Sequence, residues 1–317
     1  MNRFKKILFV NDGKTTRTTA LERAANLALS NEAALTVVEA LEDFPAEMKT
    51  ARTTSDMGKL QKIVSEESYR RIDALIAPIK EEGVKVSGKV LWGRPWLEII
   101  REVLRNNHDL VVLTPQKKGK FMEMLFGSRI MHLMRKCPCP VWAIKPTTRR
   151  KQYTRILAAV NAVPEKDKET LLNIKIMELA ISLAQLEKKG ELHIVHFWQQ
   201  FFEKRIKGRT VMNQEEADNL NRETRKRHSQ WLTKLIEKLS LEKIEHKIHL
   251  LAGEPAELIP ELVNKRRIDT VVMGTVARTG LPGFFIGNTA ERILQELGCS
   301  VLAVKPDGFE TPVELDE

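Results

Sequence analysis

Long apolar runs are missing from this chain. No segment approaches the ~20 consecutive apolar residues that a membrane-spanning helix needs. The opening stretch Met1–Val10 has one short apolar run and breaks into the polar segment Asn11–Thr19, too short for the apolar region of a secretory signal. Both absences predict a cytoplasmic protein with no membrane span. Cysteine is scarce as well, with three in 317 residues, as expected where thiols stay reduced. Cys137 and Cys139 flank a proline and Cys299 stands alone, a spacing that supplies no zinc ligand set. No metal site is expected, and the thiols read as small core or loop side chains.

Aromatic residues make up only 6%, which bears on how the charge is read. Lys+Arg outnumber Asp+Glu by 52 to 42, a formal charge of +10 that favours acidic partners such as nucleotides. The basic residues are scattered, as in Lys117-Lys118, Arg149-Arg150-Lys151 and Arg225-Lys226-Arg227. They lack the interleaved aromatics on which single-stranded nucleic acid stacks. They read as solvated helix faces, so nucleic acid is not an expected partner.

What the chain does have is a repeat. Gly93–Pro146 aligns with Gly253–Pro306 without a gap, and 13 of the 54 aligned positions are identical, where chance would give only about 3 or 4. The identities include Gly93/Gly253, Pro95/Pro255, Asp109/Asp269, Gly127/Gly287, Cys139/Cys299 and Lys145-Pro146/Lys305-Pro306. The fronts of the copies correspond too, Lys6–Asp12 with Arg155–Asn161. Such a period is too long for a solenoid, so each copy is expected to be a whole domain. The expected domains are residues 1–147 and 148–317, divided just after Pro146 in a charged stretch.

Within each copy short apolar runs alternate with helical patterns. The first reads strand Ile7–Val10, helix Thr18–Ser30, strand Leu35–Ala40, helix Met57–Glu82, strand Val84–Leu91, helix Pro95–Asn106, strand Leu110–Thr114, helix Gly127–Lys136 and strand Val141–Ile144. The second repeats the order, with strands near Ile156–Val160, Leu192–Phe197, Ile244–Leu251, Thr270–Gly274 and Val301–Val304 and a long helix from about Met212 to Leu239. Parallel strands joined by helices require right-handed crossovers, which predicts an α/β fold: two five-stranded parallel sheets, each covered by helices on both faces.

Ligands of such sheets sit beyond the carboxyl ends of the strands, where strand order reverses. The first and fourth strands bring Asn11, Asp12 and Thr114 there in the first copy, and Asn161 and Gly274 in the second. In the second copy the fourth strand runs into Gly274-Thr275-Val276-Ala277-Arg278-Thr279-Gly280, and a helix begins after Gly287-Asn288-Thr289. Small residues let backbone N–H groups approach phosphate oxygens, and a helix N-terminus adds partial positive charge. The same residues would equally make a plain turn with an Asn or Thr helix cap.

Nothing assembles into a catalytic constellation: neither copy brings a Ser/His/Asp or Cys/His set together. His193 and His196 lie three apart on a strand, as do His246 and His249, so the members of each pair face opposite ways and read as edge or surface histidines. The chain is not expected to be an enzyme. The apolar run Leu281–Ile286, matched by Phe121–Phe126 in the first copy, keeps two other readings open: a binder of a small apolar or amphipathic ligand, and a protein–protein scaffold.

The order of elements and the small residues after Gly274 resemble the universal stress protein superfamily, whose ATP-binding members carry Gly-x2-Gly-x9-Gly-Ser/Thr. The corresponding residues here are Gly274, Ala277 and Gly287-Asn288-Thr289, while the first copy offers Thr114, Lys117 and Gly127-Ser128. Asn161 stands where the family places an acidic residue, and Asp12 keeps it in the first copy. The resemblance implies two tandem Rossmann-like domains, the first degenerate as an ATP site. It implies nucleotide contacts at Asn161, Val195, Gly274, Val276, Ala277, Arg278, Gly280, Gly287, Asn288 and Thr289, with ATP as the ligand. The segments Arg278-Thr279-Gly280, Gly287–Glu291, Arg135–Pro138 and Thr311–Leu315 narrow it to the tandem-domain type. That type implies a cytoplasmic stress-response protein that forms homo-oligomers and is linked to DNA-damage resistance, motility and adhesion.

Overall fold

The computed structural model describes residues 4–13, 16–45, 48, 54–115, 126–146, 154–164, 167–187, 189–202, 204–206, 209–242, 244–275 and 286–315. They fall into two compact units. The first is drawn from Met1–Arg150, Thr279–Ile286 and Phe309–Glu317, and the second from Lys151–Arg278 and Gly287–Gly308.

The first unit contains strands β1 (Lys6–Asn11), β2 (Ala34–Leu41), β3 (Val86–Trp92), β4 (Leu110–Leu113) and β5 (Val141–Ala143). They pair in parallel in the order β3-β2-β1-β4-β5. Helices α1 (Thr19–Asn31), α2 (Thr54–Glu81), α3 (Pro95–Asn106) and α4 (Ser128–Lys136) connect them. Right-handed crossovers place α1 and α2 on one face and α3 and α4 on the other, because the chain reverses direction across the sheet after β3.

The second unit repeats the plan with β6 (Thr154–Ala159), β7 (Gly190–Trp198), β10 (Glu245–Ala252), β11 (Thr270–Gly274) and β12 (Ser300–Val304) in the order β10-β7-β6-β11-β12. Its helices are α5 (Asp167–Leu186), α6 (Gln214–Ile236), α7 (Pro255–Arg266) and α8 (Asn288–Glu296). The α/β architecture is the one predicted by the alternation of runs.

One element was not foreseen. The antiparallel hairpin β8 (Lys204–Ile206) and β9 (Arg209–Met212) precedes α6, so the long helix begins at Gln214 and not at Met212. Its start is set by a capping box: Asn213 Oδ1 accepts from the Glu216 N–H at 2.9 Å, and Glu216 Oε2 accepts from the Asn213 N–H at 2.8 Å. This satisfies two backbone donors that the first turn leaves over.

The residues common to both copies turn out to be structural. Gly93 and Gly253 adopt φ of 132° and 130°, a region closed to other residues. Their N–H groups donate to Leu41 O and Trp198 O, each at 3.0 Å. Pro95 and Pro255 then open α3 and α7 at the first helical position, where a missing N–H is harmless. Asp109 accepts from the Lys5 N–H at 2.6 Å and returns its own N–H to Lys6 O at 2.9 Å. Asp269 does the same with Arg155, at 2.9 and 2.8 Å. These reciprocal bonds lock the fourth strand of each sheet to the first.

The tail beyond β12 belongs to the first unit: Val313 is buried, and Arg101 Nε donates to Glu314 O at 3.3 Å. All three cysteines are buried and reduced. Cys137 and Cys139 lie with sulfurs 3.5 Å apart; the hydrogen bond with Cys137 and burial together push the Cys139 thiol well above its ordinary pKa. No helix among the described residues is long and apolar enough to cross a membrane.

Two outcomes follow from this packing. A Cβ added to Gly190, at the start of β7, would overlap the backbone carbonyl of Ala184 at the end of α5. Backbone cannot swing aside, so Gly190→Ala should destabilise the second unit by about 1–3 kcal/mol, read as a lower urea midpoint. The thiols should resist alkylation at pH 7 in the native protein and react once it is denatured, because only an exposed thiolate is a nucleophile.

Candidate functional site

Strand order reverses between β6 and β11, which places the candidate site of the second unit at their carboxyl ends. Asn161 lies just past β6. Its backbone is clamped by Asn173 of α5: the Asn161 N–H donates to Asn173 Oδ1 at 2.9 Å, and Asn173 Nδ2 donates to Asn161 O at 2.6 Å. The side-chain Nδ2 of Asn161 is buried without a hydrogen-bond partner among the described residues. A buried amide donor in that state is a site waiting for an acceptor.

Gly274 ends β11. A Cβ there would stand 3.1 Å from Leu172 Cδ2 of α5, so its smallness serves helix–sheet packing as well as any approaching ligand. The next residue, Thr275, was not singled out by sequence, yet it organises the site. Its N–H donates to Val304 O at 3.3 Å, its carbonyl accepts from the Gly287 N–H at 3.1 Å, and its hydroxyl accepts from Lys305 Nζ at 2.9 Å. Thr275 and Lys305 are both buried. The recurrence of Lys145 and Lys305 in the repeat was the one sequence signal for this residue, and nothing in it foretold burial.

Gly287 is the N-cap of α8 and makes no side-chain cap bond. Asn288 and Thr289 lie exposed inside the first turn. Neither therefore caps the helix as a plain turn would require. The structure thus joins Thr275, Gly287 and Lys305 by hydrogen bonds at one end of the sheet. Val276, Ala277, Arg278 and Gly280 lie outside the described residues, as does most of the apolar run, apart from buried Ile286. Val195 is fully buried within β7, and its carbonyl accepts from the Val160 N–H at 3.0 Å.

The corresponding end of the first unit differs. Asn11 and Thr114 are buried side by side at the ends of β1 and β4, and Thr114 Oγ1 has no partner among the described residues. Pro115 stands where the second unit has Thr275, and Lys145, half-exposed, has its Nζ 5.6 Å from the Phe126 ring. Lys117 lies outside the described residues.

The two histidines of β7 depart from expectation, whereas His246 is exposed on β10, the strand at the end of the order. His193 and His196 do face opposite ways, but both are buried and not at the surface, because β7 is an interior strand with both faces covered. His193 Nδ1 lies 2.9 Å from His249 Nε2 of β10, and His193 Nε2 is 3.3 Å from Glu191 Oε1. Partners three residues apart on one strand cannot meet, but residues on neighbouring strands can, and single-strand spacing does not reveal that. Burial pushes the His193 imidazole down to about 4, with Glu191 opposing the shift and His249 adding to it. Burial pushes the Glu191 carboxyl up, but hydrogen bonds from Lys247 and Arg155 outweigh it and hold the group at about 2. Among the described residues no group of three or more His, Cys, Asp or Glu side chains is placed to hold a metal ion.

These values give a pH dependence of stability. An unfolded histidine takes up its proton near pH 6.5, whereas His193 stays neutral to about 4. The unfolded state therefore binds the proton first as pH falls, and stability is lost between about pH 6.5 and 4. Glu191 acts only below its unfolded value of about 4.5, so the two windows separate. The melting temperature should fall between pH 7 and pH 5 by scanning calorimetry, and His193→Gln should reduce that fall.

The chain matches known proteins along its whole length. The model of the Universal stress protein family matches residues 3–145 and again 152–305. Universal stress protein E of Salmonella typhi is 31% identical over 100% of this chain and 99% of its own. The protein of the same name from Escherichia coli K12 is 30% identical with the same coverage. Among solved structures, a functionally unknown protein from Pseudomonas aeruginosa PAO1 superposes with a TM-score of 0.71 at 24% identity, covering 97% of this chain and 95% of that one, a likeness of fold. With the family matched once in each half and a relative of the same tandem type aligned from end to end, this chain belongs to the universal stress protein family.

Proposed function

We propose that this chain is a nucleotide-responsive stress protein whose second domain binds an adenine nucleotide at the carboxyl ends of β6 and β11. The observation that carries this reading is the hydrogen bond between Gly287 and Thr275. It holds the uncapped N-terminus of α8 beside the end of β11, where a phosphate would meet backbone N–H groups. In this reading Gly274, Val276, Ala277, Arg278, Gly280, Gly287, Asn288 and Thr289 surround the phosphates. Asn161 and the strand end near Val195 take the nucleoside side, with the Asn161 amide acting as a donor in place of a carboxylate acceptor.

The first domain, taken as residues 1–147, does not bind the nucleotide. A side chain at Thr114 and a proline at 115 replace the residues that open the second site. The protein acts by binding, with ATP hydrolysis at most slow, and it works in the cytoplasm as a homo-oligomer in the stress response, with roles in DNA-damage resistance, motility and adhesion.

Gly127 and Gly287 allow a matched test, because each is the N-cap of the helix that precedes the last strand of its domain. Both have ordinary negative φ, so valine is compatible with either backbone. Calorimetric titration of the full chain with ATP should give one site per chain. Gly287→Val should weaken it at least tenfold, about 1.4 kcal/mol or one lost charge-assisted hydrogen bond, and Gly127→Val should leave it unchanged. The reverse pattern would place the nucleotide in the first domain. Absence of binding in the wild type would favour an apolar ligand or a scaffold, to be identified by mass spectrometry of what the purified protein releases on denaturation.

A further inference from the structure

The two domains carry the same strut in two chemistries. In the first, Glu39 near the end of β2 lies beside Asn11 of β1 and pairs with Arg71 of α2, Nη2 to Oε1 at 2.8 Å. In the second, the ladder that matches Ala159 with Val195 brings Val160 beside His196. His196 Nε2 lies 2.8 Å from Nδ1 of His228 on α6. The strands align as Leu35-Thr36-Val37-Val38-Glu39 and Leu192-His193-Ile194-Val195-His196. Glu39 and His196 are both buried. Each links the second strand of its sheet to the helix that follows, but the first pair is permanently charged near neutral pH and the second is not.

The proton positions in the histidine pair follow from its neighbours. His196 Nδ1 is 3.3 Å from the Ala162 N–H and 3.3 Å from the Val160 carbonyl. Of the two neutral tautomers, the one that satisfies the Ala162 N–H has Nδ1 accepting, carries its hydrogen on Nε2 and donates it to His228 Nδ1; this is the tautomer the proposal takes. Adding one proton changes this wherever it lands. On His196 it occupies Nδ1. On His228 it occupies Nδ1, and keeping the bond between the rings then forces the His196 hydrogen from Nε2 to Nδ1. Either way Nδ1 becomes a donor, turns from the Ala162 amide to the Val160 carbonyl, and leaves the amide facing an N–H.

Val160 and Ala162 flank Asn161, whose side-chain amide is the buried donor of the candidate site. We propose that the His196–His228 pair positions the Val160–Ala162 turn and makes nucleotide binding by the second domain proton-dependent, firm while the pair is neutral and weakened once it is protonated. This rests on the nucleotide reading above. His196 and His228 are positioning residues, acting on the ligand through Asn161. Among the described residues the charge acting on His228 is that of Arg227 on the same helix; burial first and Arg227 second hold the His228 imidazole below its ordinary pKa. From the strand side β6 and β7 present the Ala162 amide, the Val160 carbonyl and the uncharged Asn161. Trp231 on α6 adds a ring 4.8 Å from that of His228 but no charge. His228 therefore takes up its proton only below the ordinary histidine value.

The test uses the full chain and ATP as the probe. In the wild type the dissociation constant should rise at least fivefold from pH 7.5 to the pH at which His228 is seen by NMR to be protonated. The double variant His196→Glu, His228→Arg, which installs the strut of the first domain, should flatten that ratio; the titration of ATP itself is common to both proteins. The half-exposed His228→Gln should flatten it too, if the double variant does not fold. A second readout needs no ligand: in the 1H–15N spectrum of the free protein the Ala162 amide should shift with the protonation of His228. An equal pH ratio in wild type and variants, or an Ala162 amide that stays still while His228 titrates, would overturn the proposal. A moving Ala162 amide with no ATP binding at any pH would support the strut and count against the nucleotide reading instead.

Discussion

The junction between the first and fourth strands of each sheet is the constraint on which the rest of the structure depends. Asp109 and Asp269 hold it through reciprocal backbone bonds with Lys5 and Lys6 in one unit and with Arg155 in the other. A carboxylate accepting backbone N–H groups makes a stronger tie than a neutral acceptor would. Because this tie sits at the start of the strands, it fixes which residues emerge together at their far ends. A shift of one residue would carry every side chain to the opposite face. The rows Asn11–Thr114 and Val160–Gly274 are consequences of it.

On that common frame the domains have diverged where the strands end. Thr114 and Pro115 in the first correspond to Gly274 and Thr275 in the second, and the Glu39–Arg71 ion pair corresponds in position to the His196–His228 pair. The buried cation follows the same rule. Lys305 has a hydroxyl partner in Thr275, whereas Lys145 faces a proline position and rests near an aromatic ring. The core was kept in both copies because close packing tolerates little change in volume. At the strand ends, buried polar side chains such as Thr275 and Lys305 take the place of apolar ones, and it is there that the copies differ.

Much of this was legible in the sequence, and the reasons it stopped are physical. The repeat exposed Gly93, Gly253, Asp109 and Asp269 because each makes a backbone conformation or bond that no other residue type replaces. Strand and helix periods gave the α/β plan, since buried parallel strands read as unbroken apolar runs. The hairpin β8–β9 escaped because its short strands carry charge and no alternation. The histidine pairs escaped because their partners lie on other strands or on α6, 32 and 56 residues away, and nothing within a single strand encodes such a partner. Thr275 and Asn173 act through hydrogen bonds at strand ends, which leave no periodic trace.

The tail that packs on the first unit orders events in time. Residues beyond Gly308 belong to a domain most of whose residues precede Lys151, and they are synthesised after the strands of the second sheet. The first sheet can form early in synthesis, as domains generally do, but the surface that receives Val313 and the Arg101 contact with Glu314 must wait until the whole second domain has been made. A chain cut short after β12 would carry a first domain with that surface uncovered.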